Sequence, residues 1–210
     1  MSELVLDIVQ SSDIFSRDSF VAGSTFNLSV SMPLAVDLDG TLIAGDMLYE
    51  SVFSVLRRNP FVLLSSLLWL SRGRAAVKRE FALRYDPDWD RIKLHQDVLA
   101  LILREKAAGR SIVLATAADA LIAEKIAERL GLFDRVVASD GWHNLKGAAK
   151  AEALAELFPG GFVYAGDSQS DLAVWQRARG IVVVGADPSI AAAARALVRP
   201  MIELRGRTAS

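Results

Sequence analysis

The sequence predicts an α/β protein in which a doubly wound parallel sheet carries helices on both faces and a small helical cap is inserted after the first strand. Short apolar runs alternate with amphipathic segments of helix length through the second half of the chain. Strands that alternate with helices form parallel sheets with right-handed crossovers. About seventy residues of helical pattern separate the first strand from the second, far more than one crossover helix needs.

The individual elements follow from the spacing of apolar residues and from the residues that interrupt it. An apolar run that begins at Pro33 predicts a first buried strand at 33–38. Asn59-Pro60 and Asp86-Pro87-Asp88 break a long helical pattern, and Gly109 ends it in the manner typical of a helix C-terminus. Helices are therefore predicted at 43–57, 61–70, 75–85 and 90–108. Strands follow at 111–116, 135–138, 162–165 and 181–184, and helices at 119–130, 147–158, 170–178 and 189–197.

We divide the chain into a core, a cap and two peripheral segments. The predicted core comprises 33–45 and 91–200, and the predicted cap comprises 46–90. Residues 1–32 are rich in serine and lack clear periodicity, so they are interpreted as an N-terminal arm of uncertain structure. A start at Met32 is the alternative for this arm. Residues 201–210 are interpreted as a tail.

Composition excludes several kinds of site. The formal net charge is −1, so binding to nucleic acid is not expected. The chain has no cysteine and only two histidines, which excludes disulfides, thiolate metal sites and sites built from several imidazoles. Oxygen donors remain, and they favour Mg²⁺ or a similar hard cation.

No secretory signal or membrane span is predicted. The first residues include Glu3 and Asp7 where a signal peptide is basic. The longest apolar stretch, at 61–70, is shorter than the ~20 residues that cross a bilayer. We therefore expect a cytoplasmic protein without membrane contact. A lipid- or partner-contacting surface at 61–70 is the alternative to cap core.

Polar side chains follow three of the predicted strands at the edge where open α/β sheets bind ligands. Two carboxylates one residue apart repel each other unless a cation or a shared proton lies between them, which indicates a metal site. A carboxylate can attack phosphorus, a second can transfer protons, and Mg²⁺, hydroxyl and ammonium groups can hold phosphate oxygens. The residues are Asp37 and Asp39 after the first strand, Thr116 after the second, Asp167 and Asp171 after the fourth, and Lys146 before the intervening helix.

This arrangement resembles the haloacid dehalogenase (HAD) superfamily of hydrolases, whose core is Rossmann-like. Four elements match in the family's order, from about residue 33 to about residue 184: Asp37-x-Asp39-Gly40-Thr41, Thr116 after an apolar strand, Lys146, and Gly166-Asp167-x-x-x-Asp171. The insertion after Thr41 is where this family places its type-1 cap. A small helical cap is similar to that of phosphoserine-phosphatase-like members.

The resemblance implies a Mg²⁺-dependent phosphatase that hydrolyses a phosphate monoester through an aspartyl-phosphate intermediate. Asp37 would be the nucleophile, and Asp39 the general acid and base. The implied Mg²⁺ ligands are Asp37, Asp39 through its carbonyl, Asp167 and Asp171. The implied phosphoryl-binding residues are Thr116, Ala117 and Lys146, with Lys150 as the alternative to Lys146.

Other segments narrow the resemblance. The second motif reads Thr116-Ala117-Ala118-Asp119 and the fourth reads Gly-Asp-Ser-Gln-Ser-Asp, and these departures argue against phosphoserine as the substrate. The segments RGRAAVKREFA, LGLFDRVVASDG, NLKGAAKAEAL and YAGDSQSDLAVW are similar to the HAD domain fused ahead of UbiA-type prenyltransferases. The implied partner is a small phosphorylated substrate, with a lipid or prenyl phosphate as one candidate.

Two other functions compete with this interpretation. Receiver domains of signalling proteins also place acids, a threonine and a lysine on a doubly wound sheet, but they lack a long insertion after the first strand. A membrane-associated accessory module is the second alternative, suggested by the apolar stretch at 61–70.

Within the cap, Asp46 is either an N-cap or a substrate contact, and Arg72, Arg74, Lys78 and Arg79 are either a solvated helix face or a site that recruits an anionic substrate. Trp142 either borders the site or packs in the core.

Overall fold

The computed structural model describes residues 28–59, 61, 69–71, 73–89 and 92–208. Most of the predicted N-terminal arm, most of the predicted helix at 61–70 and Arg72 lie outside the described residues. The predictions for these segments are therefore untested.

Six parallel strands form one sheet, in the order β3-β2-β1-β4-β5-β6. In the centre, β1 pairs with both β2 and β4, and Val36 lies opposite Leu114 and Ala165. The carboxyl ends of these three strands therefore meet at one edge. The strands are β1 (Leu34–Val36), β2 (Ile112–Asp119), β3 (Arg135–Ser139), β4 (Val163–Gly166), β5 (Gly180–Val184) and β6 (Met201–Leu204).

Helices pack on both faces of the sheet, which confirms the predicted fold class. Alternate strand residues point to opposite faces, so Leu34 and Val36 belong to one apolar cluster and Ala35 to another. All three residues of β1 are buried, as expected for a parallel strand covered on both sides. The helices are α1 (Met47–Arg58), α2 (Arg74–Ala82), α3 (Gln96–Ala107), α4 (Ala120–Leu130), α5 (Ala148–Leu157), α6 (Leu172–Arg177) and α7 (Pro188–Arg195).

The insertion between β1 and β2 contains α1 and α2, and we refer to residues 46–90 as the cap. The first cap helix begins at Met47 and not at residue 43, because the preceding residues form tight turns. Gly40 N–H donates to the carbonyls of Ile43 and Gly45, and the Asp39 carboxylate accepts the N–H of Met47. The Phe81 ring of α2 packs edge-on against Trp69, with ring centroids 5.6 Å apart.

Further predicted segments differ from the structure. The second strand continues to Asp119, beyond its predicted end at 116, so Thr116 lies within β2 and does not follow it. The predicted helix at 90–108 begins only at Gln96, because Leu94 and His95 are extended and pair with Ile43 and Thr208. The predicted tail is wrong for Met201–Leu204, which form β6 and cover the edge of β5.

The segment after β6 is held to the core by one buried carboxylate. Asp97 Oδ2 accepts the backbone N–H groups of Arg205 at 2.9 Å and Gly206 at 3.0 Å. The neighbouring His95 ring Nδ1 lies 2.8 Å from the carbonyl oxygen of Thr41. The last described residues are thus connected to the turn that follows β1. Within the described part of the chain, every helix is too short or too polar to span a bilayer.

Candidate active site

A cavity of about 610 Å³ opens at the carboxyl edge of the three central strands. Its floor includes predicted site residues from β1, β2 and β4, because the sheet order brings the ends of these strands together. The cap contributes Val77 and Lys78 to the opposite wall.

Asp37, the first residue after β1, is fixed in place by a buried lysine. Its Oδ1 accepts a hydrogen bond from the N–H of Leu38 at 2.8 Å and lies 2.9 Å from Lys150 Nζ. Its other carboxylate oxygen accepts no hydrogen bond from a described residue, and Asp37 lines the cavity. Burial raises the pKa of Asp37, while the Lys150 ammonium opposes this rise. Asp37 therefore offers one anchored and one available oxygen.

Lys150 belongs to a buried network that reaches from β1 to the loop after β4. Its Nζ donates to the Tyr164 hydroxyl at 2.7 Å, and that hydroxyl donates to Asp171 Oδ1, also at 2.7 Å. Asp171 Oδ2 accepts the Ser168 hydroxyl at 2.7 Å and the N–H of Ser168 at 3.0 Å. Because both oxygens of Asp171 are bonded within the protein, its carboxylate holds the loop at 167–171 in shape.

Two glycines allow the carboxylates to approach the sheet closely. A Cβ on Gly40 would lie 2.8 Å from the carboxylate carbon of Asp167, and Gly40 also has a φ of +74°. A Cβ on Gly166 would lie 2.7 Å from the carboxylate carbon of Asp171. Contacts this short do not occur with real Cβ atoms, so both motif positions need glycine.

Asp167 is positioned by the residue that follows Gly40. The buried Thr41 hydroxyl donates to Asp167 Oδ1 at 3.0 Å. Burial and, after it, the charge of Asp171 raise the pKa of Asp167 to about 7. The cost of ionising Asp167 in this position would be offset by a nearby cation.

Asp39 differs from Asp37 although the two acids are only one residue apart. It lines the cavity, and its Oδ1 accepts the N–H of Met47 at 2.7 Å, at the start of the cap. Burial raises the pKa of Asp39 to about 7, although the hydrogen bond from Met47 opposes the rise. A carboxyl group with this pKa is partly protonated at neutral pH and can both donate and accept a proton.

A metal ion fits the acids of this edge. Carboxylate oxygens of Asp37, Asp167 and Asp171 all lie within 4.8 Å of one another. Hard oxygen donors of this kind suit Mg²⁺, and a divalent cation would offset the repulsion that raises the pKa of Asp167. The residues present therefore fit a Mg²⁺ site.

Comparison with known proteins decides the family. The family model for haloacid dehalogenase-like hydrolases matches residues 34–176, which contain Asp37, Asp39, Asp167 and Asp171. The chain belongs to this family.

One curated relative and two solved structures are similar to this HAD chain. The uncharacterized protein y4nM of Sinorhizobium fredii is 42% identical over 154 residues, which are 73% of this chain and 30% of that relative. This chain thus spans under a third of that relative's length. A Bordetella pertussis protein of unknown function has a TM-score of 0.63, with 17% identity over 83% of this chain and 99% of its own. A probable phosphoserine phosphatase from Vibrio cholerae has a TM-score of 0.57, with 14% identity over 86% of this chain and 62% of its own. At these identities the two structures show a shared fold.

The predicted phosphoryl-binding residues of this HAD site differ in whether they line the cavity. Ala117 and Lys146 line the cavity. The Thr116 side chain is fully buried, and its hydroxyl accepts the N–H of Ala118 at 2.9 Å. Lys146 is exposed, and the lysine that contacts Asp37 is Lys150, one helical turn later. Lys150, the alternative to Lys146, therefore fits the role beside the nucleophile.

The hydrogen bond from Lys150 to Tyr164 and the hydrogen bond from Thr41 to Asp167 were not predicted from the sequence. Lys150 shares the buried face of α5 with Ala151 and Leu154, and its spacing of four residues from Leu154 was a signal that it points inward. Nothing in the sequence shows that Tyr164 and Thr41 reach Asp171 and Asp167, because both residues belong to patterns typical of a buried strand and a turn. Trp142 is 79% exposed, so the core-packing alternative for it is wrong.

Proposed function

We propose that this HAD hydrolase is a Mg²⁺-dependent phosphatase that cleaves a phosphate monoester through an aspartyl-phosphate on Asp37. One observation carries the proposal. The Asp37 carboxylate lies on the cavity, next to the Lys150 ammonium and within 4.8 Å of two further carboxylates. A nucleophilic acid, a fixed cation and a metal-binding acid cluster are the parts that phosphoryl transfer requires.

In the first half-reaction, a carboxylate oxygen of Asp37 attacks the phosphorus atom. A bond forms between this oxygen and phosphorus, and the bond from phosphorus to the substrate oxygen breaks. Asp39 gives its proton to the departing oxygen, so the product leaves as an alcohol. The pKa of about 7 leaves Asp39 partly protonated at neutral pH, as this step needs.

In the second half-reaction, the Asp39 carboxylate accepts a proton from a water molecule. The water oxygen bonds to phosphorus, the bond from phosphorus to Asp37 breaks, and inorganic phosphate leaves. Lys150 keeps Asp37 oriented throughout, because its ammonium is also held by the Tyr164 hydroxyl.

Mg²⁺ would be held by Asp37, Asp39 through its carbonyl oxygen and Asp167, and when bound it would neutralise negative charge on the phosphoryl oxygens. Asp171 contributes by holding the loop that carries Asp167. Thr116 and Ala117 stay predictions as phosphoryl-binding residues.

The proposal is tested with an aryl phosphate, with and without Mg²⁺. We expect turnover in wild type with Mg²⁺ and a loss of at least about 10³-fold in Asp37→Asn, because the nucleophile is removed. Asp187→Asn, an exposed acid before α7, is the matched control and should behave as wild type. Asp39→Asn should accumulate the phosphoenzyme, visible by intact-protein mass spectrometry. Full turnover in Asp37→Asn would refute the proposal.

The layout does not favour a receiver-like domain. The paired acids follow the first strand, and two cap helices come between that strand and the second, whereas receivers lack such an insertion. A phosphorylated wild-type protein that persists for minutes would reverse this conclusion. A lipid or prenyl phosphate substrate, an accessory role in a prenyl-lipid pathway and a cytoplasmic location stay predictions.

A further inference from the structure

One lysine of the cap, Lys78, forms hydrogen bonds with residues of the core. Lys78 lies on α2, and its Nζ donates to the Ala117 carbonyl at 2.6 Å and to Asn144 Oδ1 at 2.8 Å. Both acceptors are uncharged, and an ammonium has three N–H donors, so one donor remains beyond these two bonds. Lys78 lines the same cavity as Asp37.

The ammonium of Lys78 has no direct counter-ion in the described part of the chain. Among the described residues, no carboxylate forms an ion pair with it, although Asp39 and Asp46 are near enough to favour its charged form. Burial lowers the pKa of Lys78, and the nearby charge of Lys146 lowers it further. A half-buried cation of this kind is normally balanced by an anion.

Lys146 supplies a second positive charge on the same cavity. It is exposed, lies outside the network that holds Asp37, and forms no ion pair with a described residue. Lys150, by contrast, is already held between Asp37 and Asp171. The cavity thus has an acidic end, suited to Mg²⁺ and the transferred phosphoryl group, and a basic side formed by Lys78 and Lys146.

We infer that Lys78, Asn144 and Lys146 form a second anion subsite, so that the substrate is a phosphate monoester bearing a further oxyanion, either carboxylate or phosphate. This inference rests on the proposed function, in which a first phosphoryl group reacts with Asp37. A monoester of a neutral alcohol would leave the half-buried Lys78 without an ion-pair partner. An oxyanion at this position accepts the remaining donor of Lys78 and lies between two like charges that otherwise repel each other.

The test measures equilibrium binding by calorimetry, so it does not depend on turnover. The probes are propylphosphonate, 3-phosphonopropanoate and ethane-1,2-bisphosphonate, which have chains of matched length and end in a methyl, a carboxylate or a phosphonate group. With Mg²⁺ present, wild type should bind at least one probe that ends in a second anionic group about tenfold more tightly than propylphosphonate. The preferred probe distinguishes a carboxylate from a phosphate subsite.

Variants assign the preference to the lysines. Lys78→Met and Lys146→Met should each lower the ratio of affinity for the preferred two-ended anion to affinity for propylphosphonate by about fivefold or more, and Lys78→Arg should retain most of this ratio. Lys93→Met, which removes an exposed lysine outside the cavity, should leave the ratio unchanged. Equal affinity of wild type for all three probes, or an equal loss for all three in Lys78→Met, would overturn the inference. Absence of phosphatase activity with the selectivity intact would refute the proposed reaction and leave the subsite standing.

Discussion

Replacing Lys150 with methionine is expected to destabilise the folded protein strongly when Mg²⁺ is absent. Methionine keeps an unbranched, mostly apolar side chain, so the change removes chiefly the ammonium group. That group lies 2.9 Å from Asp37 Oδ1 and 3.8 Å from Asp171 Oδ1. Without it, two buried carboxylates face each other with no cation between them.

The size of the effect follows from the burial of the pair. Lys150 is 2% exposed, Asp37 8% and Asp171 1%, so water screens their interaction poorly. At an effective dielectric constant of about 20, unit charges 2.9 Å apart attract each other by about 6 kcal/mol. Desolvation of both groups cancels part of this gain, and loss of one member of a buried pair typically costs about 3–5 kcal/mol. We expect the free energy of unfolding to fall by this amount.

Urea denaturation at pH 8 in EDTA measures the change, because the acids are then most fully ionised. Lys93→Met is the control, since it removes an ammonium from an exposed residue outside the cavity, and its free energy of unfolding should stay within about 0.5 kcal/mol of wild type. Adding Mg²⁺ should recover part of the loss in Lys150→Met, because the metal replaces the missing cation. A loss below about 1 kcal/mol in EDTA would refute the reasoning.

Three further predictions concern the turn after β1, the cap and the pH profile. Gly40→Ala should abolish phosphatase activity, because its Cβ displaces the Asp167 carboxylate, whereas Gly160→Ala, which meets no atom within 4 Å, should leave kcat/KM unchanged. Arg79→Met should lower the free energy of unfolding by about 1–3 kcal/mol in urea denaturation, because it leaves the buried Asp119 carboxylate without its cation, and Asp119 Oδ2 already has no hydrogen-bond partner among the described residues. Arg195→Met, which breaks an exposed ion pair, should cost much less. With an alkyl phosphate, the rate of phosphoenzyme formation should fall as pH rises above about 7, because Asp39 loses the proton that the leaving oxygen needs. Stopped-flow kinetics measure this rate. A nitrophenyl phosphate, whose leaving group needs no proton, should show a rate that depends much less on pH.

The strands and the acids were predictable from the sequence because their signals are local. Buried strands of a parallel sheet are continuous apolar runs, and the sheet order then places Asp37 and Asp167 at one edge regardless of loop detail. The lysine beside the nucleophile was ambiguous in the sequence. Lys146 precedes α5 and Lys150 lies in its first turn, only four residues later. The spacing of Lys150 from Leu154 places it on the buried face of α5, but the packing of that helix on the sheet decides that Lys150 meets Asp37.

Features that depend on contacts between distant segments could not be predicted from local sequence patterns. Strand β6 is four residues long, and it pairs only because β5 offers an open edge. The delayed start of α3 depends on the pairing of His95 with Thr208, more than a hundred residues away. In the sequence, Lys78 is one cation in a polar helix, and its contact with Ala117 depends on how the cap packs on the core.

The pairing of Thr208 with His95 fixes the position of the segment after β6. Strand β6 is parallel to the others, so the residues after it emerge at the same edge of the sheet as Asp37 and Asp167. Thr208 pairs with His95, whose ring contacts Thr41 beside the acids. Residues attached after Thr208 would therefore begin at the edge of the sheet that carries the acids. A tag fused at this end should therefore be cleavable, so that kinetic constants can be compared with and without it.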